Sequence, residues 1–121
     1  NKRETLNQIV HPLVFKRFEE WSSEQKSPYV IKEAAILFES GADKTVDKSI
    51  GVFAPLEIRM ERVIARDNRT REEIQTIMNM QLSDDALKSK VDYTIINDNE
   101  RSVIDQVRAL HQVLVNEARH F

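Results

Sequence analysis

Five arginines lie within thirteen consecutive positions near the middle of the chain, at Arg59, Arg62, Arg66, Arg69 and Arg71. The first three fall within about 60° of one another if the segment is helical, so they form a stripe along one face. Arginine binds phosphate through a planar fork of donors and stays charged. The stripe therefore suits a polyphosphate ligand, but the pattern is also typical of a solvated helix face, here neutralised by four glutamates between residues 57 and 73.

Three further side chains stand where a ligand could be held. His11 precedes Pro12, and proline is favoured at the first position of a helix, whose N-terminus attracts anions. Glu39 and Asn97 each follow an apolar run, so we expect both at strand ends, where α/β folds bind ligands. The alternatives are a capping or partly buried histidine, a solvent-exposed acid, and an ordinary tight turn after Asn97.

Several kinds of site are excluded by the sequence itself. No G-x-x-x-x-G-K-[ST] motif occurs, and Gly41 and Gly51 are the only glycines, so these residues cannot build a phosphate-binding loop. There is no nucleophile elbow, no triad pattern and no metal-ligand spacing among the three histidines. These residues alone therefore predict no metal site and no nucleophilic catalytic constellation within this sequence.

Composition narrows the class of protein further. The chain has 18 basic and 20 acidic residues, a balance that argues against broad nucleic-acid or membrane binding. It has no cysteine, which excludes disulfides and fits a reducing, cytoplasmic setting. Its length allows one domain with its own core. Because the sequence begins with Asn1 rather than Met, we expect it to be part of a longer chain.

The elements that must position these side chains follow from the spacing of apolar residues. Helical spacing covers residues 4–25, with a break expected at His11 and a new helix at Pro12. Thr70 and Glu73 form a capping box that begins another helix. Strands that alternate with helices predict an α/β fold with a parallel sheet. The remaining expected elements are strands at 29–37, 49–54 and 93–97, and helices at 55–66, 70–82, 84–90 and after residue 103.

Five motifs occur in an order that is found in one enzyme family, and together they span roughly residues 6–99. The motifs are Leu6-Asn7-x-x-Val10-His11-Pro12-Leu13-Val14; Pro28-Tyr29-Val30 leading to Ile36-Leu37-Phe38-Glu39; Val52-x-Ala54-Pro55-x-Glu57-x-Arg59-x-x-Arg62, continued by Ala65-Arg66-Asp67 and Thr70-Arg71-Glu72-Glu73; Met80-Gln81; and Val91-Asp92-Tyr93 with Ile95-x-Asn97. In type and spacing they resemble the dephospho-CoA kinases. The sequence departs from the family pattern at Ala35, Ile96 and Asn99, where proline, aspartate and glycine are usual.

The resemblance implies a partial P-loop kinase fold and ATP-dependent phosphorylation of the 3'-hydroxyl of dephospho-CoA, a step of coenzyme A synthesis. It implies ATP and Mg²⁺ as ligands of the whole enzyme, with the phosphate loop and the magnesium-binding hydroxyl upstream of this sequence. Arg62 and Arg66 would then lie on a lid over the ATP phosphates and adenine, and Asn97 would border the adenine. His11 and Glu39 would lie on the dephospho-CoA side.

The implied organisation is one partial kinase domain. It has a CoA-side helical region at 1–27, an α/β core at 28–66 and 91–121, and a lid with the following helix at 67–90. In the family's sheet order, 2-3-1-4-5, the absent first strand lies between those expected at 29–37 and 49–54. We therefore expect the chain alone to be inactive, and to form a homodimer that covers its exposed strand edges.

Two other functions stay open. One is another small-molecule kinase of the same fold, such as a nucleoside monophosphate kinase, against which the His11–Pro12 segment argues. The other is a non-catalytic protein-interaction module, which has no need of the lid pattern formed by Arg62, Arg66 and Thr70.

Overall fold

The computed structural model describes residues 1–120 and has the α/β architecture that the sequence predicts. Three consecutive helices separate two strands, which pair in parallel, and a longer helix lies at each end of the described range. A short 3-10 turn lies at Ala42–Thr45. The other elements are α1 (Lys2–Ser23), β1 (Ile50–Phe53), α2 (Leu56–Asp67), α3 (Arg71–Asn79), α4 (Asp84–Lys90), β2 (Tyr93–Ile96) and α5 (Val103–Ala118).

The chain divides into two compact units. One contains Asn1–Lys32 together with the residues from Val113 onward, and the other contains Glu33–Gln112. Both strands and the arginine-rich helix α2 belong to the second unit. No helix among residues 1–120 is long and apolar enough to cross a membrane.

The parallel sheet places two strand ends side by side. β1 and β2 pair in a register that sets Ile50 beside Tyr93 and Phe53 beside Ile96. At the far end of this ladder the amide of Asn97 donates to the carbonyl of Phe53 at 2.7 Å. Because the strands are parallel, the segments that follow both of them leave from the same edge, which is the edge where such sheets bind ligands.

The core of the second unit is small. Its buried apolar side chains are Phe53, Met60, Ile74 and Ile95. Gly51 makes room for the ring of Phe53, because a Cβ atom at residue 51 would lie only 2.6 Å from Cε2 of that ring. The ammonium group of Lys88 covers the ring at 5.2 Å from its centroid. β1 is therefore packed through an aromatic side chain that lies along its own strand.

The strand expected at 29–37 is absent, and this prediction is wrong. Residues 29–34 have no regular structure and residues 35–41 form turns. A strand exists only if its backbone groups pair with a neighbour, and among residues 1–120 the ladder joins only β1 and β2. The side chains of Ile31 and Ile36 are accordingly 67% and 44% exposed.

The break expected at His11 is also absent. α1 runs without interruption from Lys2 to Ser23 with Pro12 inside it. The fixed φ of proline is itself close to the helical value, so Pro12 removes one backbone donor and crowds the preceding turn without forcing the chain to leave the helix. Asn1 caps this helix by accepting a hydrogen bond from the amide of Arg3 at 3.2 Å.

Candidate functional site

Helix α2 carries the arginine stripe from the sheet edge toward the surface. It begins directly after β1, where the amide of Arg59 donates to the carbonyl of Pro55 at 3.0 Å. It ends at Asn68, which has a φ of 51° in the left-handed region. The N-cap of the next helix is Thr70, two residues later, in the predicted capping box: Thr70 Oγ1 accepts the amide of Glu73 at 3.2 Å, and Glu73 Oε2 accepts the amide of Thr70 at 2.8 Å. The capping box is confirmed.

Arg62 is held against the turn that follows β2. Its guanidinium donates to the carbonyl oxygen of Asn97 at 3.0 Å, to Oδ1 of the same residue at 3.4 Å, and to Oδ1 of Asn99 at 2.6 Å. Asn99 has a φ of 68°, which suits asparagine better than most residues. The structure thus brings together Arg62 and Asn97, two residues singled out from the sequence, at the carboxyl edge of the sheet.

The turn at 97–101 is fixed from within as well. Asp98 Oδ1 accepts the backbone amides of Arg101 at 2.9 Å and Glu100 at 3.1 Å. The hydrogen bond from the Arg101 amide is the main cause that lowers the pKa of the Asp98 carboxyl, so this group stays ionised. The site therefore rests on a short segment whose backbone has little freedom.

Sequence reasoning did not single out Gln106, although it contacts the start of this turn. It lies on α5 and bonds the backbone of Ile96, the last residue of β2. A glutamine within an amphipathic helix carries no distinctive spacing, so the sequence offers no signal for this contact.

The other arginines of the stripe are paired with acids. Arg59 Nη2 lies 2.9 Å from Asp84 Oδ2, and Arg71 Nη2 lies 2.6 Å from Glu57 Oε1. Of the glutamates expected to neutralise this face, Glu57 does so, and its hydrogen bond from Arg71 lowers the pKa of its carboxyl. The interpretation as a solvated face thus applies to part of the stripe and not to Arg62.

Arg66 and Arg69 remain closest to solution. Arg66 is 73% exposed and forms a two-point contact with its neighbour Asp67, at 2.6 and 2.8 Å. This hydrogen bond lowers the pKa of the Asp67 carboxyl. Arg69 is exposed and forms no ion pair with any residue in the range 1–120. Positive charge is therefore available beside the α2–α3 junction.

His11 and Glu39 take no part in the hydrogen bonds of Arg62 with the turn. His11 is exposed in the middle of α1, in the first unit, and so does not stand at a helix N-terminus as predicted. Glu39 belongs to the turn at 35–41 rather than to a strand end, and its Oε1 accepts the backbone amide of Leu82 at 2.9 Å. Within residues 1–120 no group of three or more histidine, aspartate or glutamate side chains is placed to hold a metal ion.

Fold and site together define an α/β domain that presents arginines and an amide-rich turn beside the carboxyl ends of parallel strands. The crystal structure of TT1252 from Thermus thermophilus has the same fold, with a TM-score of 0.79 and 32% sequence identity over 93% of this chain and 58% of that one.

A family model described as dephospho-CoA kinase matches residues 1–102. The dephospho-CoA kinase of Bacteroides fragilis strain YCH46 is 41% identical over 87% of this chain and 52% of its own length. That of Idiomarina loihiensis is 35% identical over 92% of this chain and 55% of its own length. The chain belongs to the dephospho-CoA kinase family, so the resemblance seen in its motifs is confirmed. It spans about half the length of the curated relatives that it matches.

Proposed function

We propose that this chain acts, as part of a longer cytoplasmic protein, in the transfer of a phosphoryl group from ATP to the 3'-hydroxyl of dephospho-CoA. The observation that carries the proposal is the binding of Arg62 to the turn at Asn97–Asn99. Phosphoryl transfer depends mainly on positioning and on neutralising charge, so a rigid arginine-bearing surface is what such an enzyme needs from this region.

Asn97 has a free donor that suits a purine ring. Its carbonyl oxygen and Oδ1 both accept from Arg62, which sets the orientation of the side-chain amide. Nδ2 donates no hydrogen bond to any of the described residues and is left to bind a ring nitrogen of adenine. The bond to Arg62 thus orients the group that would read the base.

Arg66 and Arg69 are suited to the ATP phosphates. The pair that Arg66 makes with Asp67 is exposed, and exposed ion pairs contribute little to stability. A phosphate can therefore replace Asp67 at small loss, while Arg69 needs no release from an ion pair. We place both on the lid at 67–90 and its border with α2.

Mg²⁺ is usually held by one or two carboxylates together with water and substrate phosphates, and residues 1–120 contain no group of three or more acidic or histidine side chains placed around one metal position. We assign the metal and the phosphate loop to a segment outside residues 1–121.

We place His11 and Glu39 on the dephospho-CoA side. His11 is exposed and free to donate to a phosphate or a hydroxyl. Glu39 uses only Oε1 for the Leu82 amide, so Oε2 can accept a hydrogen bond from the substrate. Alanine at either position should raise the KM for dephospho-CoA more than the KM for ATP.

The test is a steady-state assay of the full-length protein with ATP and dephospho-CoA, in which coenzyme A is identified by mass spectrometry. ATP-dependent formation of coenzyme A supports the proposal. Phosphorylation of nucleoside monophosphates in its place would identify the alternative kinase, and no phosphoryl transfer to either substrate would favour an interaction module.

We also propose that the 121-residue chain associates with itself. Within residues 1–120, β1 pairs with one strand, and its Val52 side chain is 62% exposed. Unpaired strand edges and exposed apolar side chains recruit other chains. Light scattering at micromolar concentration should show a dimer, and a stable species of 14.1 kDa would contradict this.

A further inference from the structure

Gln106 holds the outer edge of β2. The amides of Tyr93 and Asn97 donate to carbonyls of residues 49 and 53, so their backbone groups point toward β1. Successive residues of a strand point their peptide groups to opposite sides, so those of Ile96 point away from β1. Both are taken by one side chain: the Ile96 amide donates to Gln106 Oε1 at 2.8 Å, and Gln106 Nε2 donates to the Ile96 carbonyl at 2.9 Å. At this residue the side-chain amide replaces a neighbouring strand.

The same amide ties β2 to the start of α5. Gln106 Nε2 also donates to the carbonyl of Ser102 at 3.1 Å. Both protons of Nε2 and the oxygen Oε1 are therefore engaged, which fixes the orientation of the half-buried side chain. Gln106 therefore binds the residues at both ends of the segment 96–102 and holds these ends close together.

The turn that binds Arg62 begins at the next residue after Ile96. We propose that Gln106 is a positioning residue of the nucleotide site: by holding Ile96, it sets the direction in which Asn97 leaves the strand and so places the acceptors that orient Arg62. The identity of the ligand rests on the proposed function, whereas the anchoring of Ile96 and Arg62 is a property of this chain alone.

Two substitutions at this position test the anchoring in the 121-residue chain. Gln106→Met keeps most of the length and volume but removes the amide. Gln106→Glu keeps an acceptor for the Ile96 amide but sets a carboxylate against two carbonyl oxygens. Gln112→Met is the matched control, because Gln112 is an exposed glutamine of the same helix whose side chain makes no hydrogen bond with the described residues.

The primary measurement is amide hydrogen exchange by NMR. In Gln106→Met, exchange of the Ile96 amide should accelerate at least ~10-fold while the Tyr93 amide, which bonds β1, keeps its rate. The guanidinium signals of Arg62 should change in the same variant. Gln106→Glu should perturb Arg62 as well, and Gln112→Met should change neither signal.

The second measurement uses the full-length protein. Gln106→Met should raise the KM for ATP about 10-fold, because up to three hydrogen bonds of modest net value are lost, while kcat stays within about two-fold. A purely structural role would instead lower the amount of active enzyme and leave KM unchanged.

In Gln106→Met, unchanged exchange at Ile96 would overturn the inference, and so would equal acceleration at Ile96 and Tyr93. If Gln106→Met does not fold, Gln106→Glu decides by the guanidinium signals of Arg62, because its carboxylate still accepts the Ile96 amide but repels the carbonyl oxygens of Ile96 and Ser102. Unchanged Arg62 signals in that variant would overturn the inference. A full-length protein with Gln106 intact and no kinase activity would contradict the proposed function, while the exchange of Ile96 would still decide the anchoring.

Discussion

Replacement of Arg62 by alanine tests the site most directly. The side chain makes two short hydrogen bonds to the turn, at 2.6 and 3.0 Å, and a longer one at 3.4 Å. Hydrogen bonds to charged groups contribute about 1.5–3 kcal/mol each, but Arg62 is half-exposed and water replaces part of this, so we take about 1 kcal/mol for each short bond. Arg62→Ala would then remove about 2 kcal/mol of the free energy that stabilises the conformation of the turn.

This value limits the effect on catalysis. If the lost free energy appears fully in the transition state, kcat/KM falls about 30-fold, and we expect a decrease of at least ~10-fold, or about 1.4 kcal/mol. The assay is ATP-dependent formation of coenzyme A by the full-length protein under steady-state conditions. The kcat/KM of Arg62→Lys should lie between the values of wild type and Arg62→Ala, because one ammonium group cannot reach all three acceptors with the geometry of a guanidinium.

Arg59→Ala is the matched control. Arg59 belongs to the same stripe, but its guanidinium binds Asp84 at 2.9 Å and does not contact the turn. Its replacement should therefore change kcat/KM much less, measured per folded molecule. Small and equal losses in both variants would refute the reasoning and show that the whole stripe is a solvated face.

Three further predictions concern the isolated chain. It should not phosphorylate dephospho-CoA, because it has no phosphate loop, and ATP turnover above that of a blank preparation would contradict this. Thr70→Ala should lower the free energy of unfolding by about 1 kcal/mol in urea titrations, because it removes the cap of α3, whereas Thr76→Ala in the same helix should cause no loss. The amide and hydroxyl of Ser49 lower the pKa of the Asp92 carboxyl, so its contribution to stability is present above the unfolded pKa of about 3.9 and is lost as pH falls through the folded pKa. Asp92→Asn should therefore be less stable than wild type at pH 7, with a difference that shrinks in acid, and a difference independent of pH would contradict the assignment.

Elements that depend on residues close together in the sequence could be predicted, whereas those that depend on distant partners could not. The capping box at Thr70 was predictable because both of its hydrogen bonds act within four residues. The prediction of a strand at 29–37 is wrong because a strand needs a neighbouring strand to pair with, and residues 29–37 do not themselves specify that neighbour. The sequence predicts a helix start at Pro12, but the effect of a proline depends on how strongly the residues on both sides favour the helix, and here α1 continues through it.

In the candidate site, the identities of the residues could be predicted from the sequence, but the contacts between them could not. Arg62 and Asn97 could be selected from the sequence because arginine spacing and the residue after a strand are visible there. The hydrogen bonds between them span 35 residues, and those of Gln106 to Ile96 depend on where α5 packs. Such contacts follow from the register of the whole fold and leave no local trace in the sequence.

The close contact between Gly51 and Phe53 limits how this domain can be engineered. A designer who seeks a stronger strand would place valine at residue 51, since branched side chains favour strands. Its Cβ would lie 2.6 Å from the Phe53 ring and 3.2 Å from Cγ1 of Val91, so the ring would have to leave its buried position. Residues 51 and 53 therefore form one unit of design, in which a larger side chain at the first position requires a smaller one at the second.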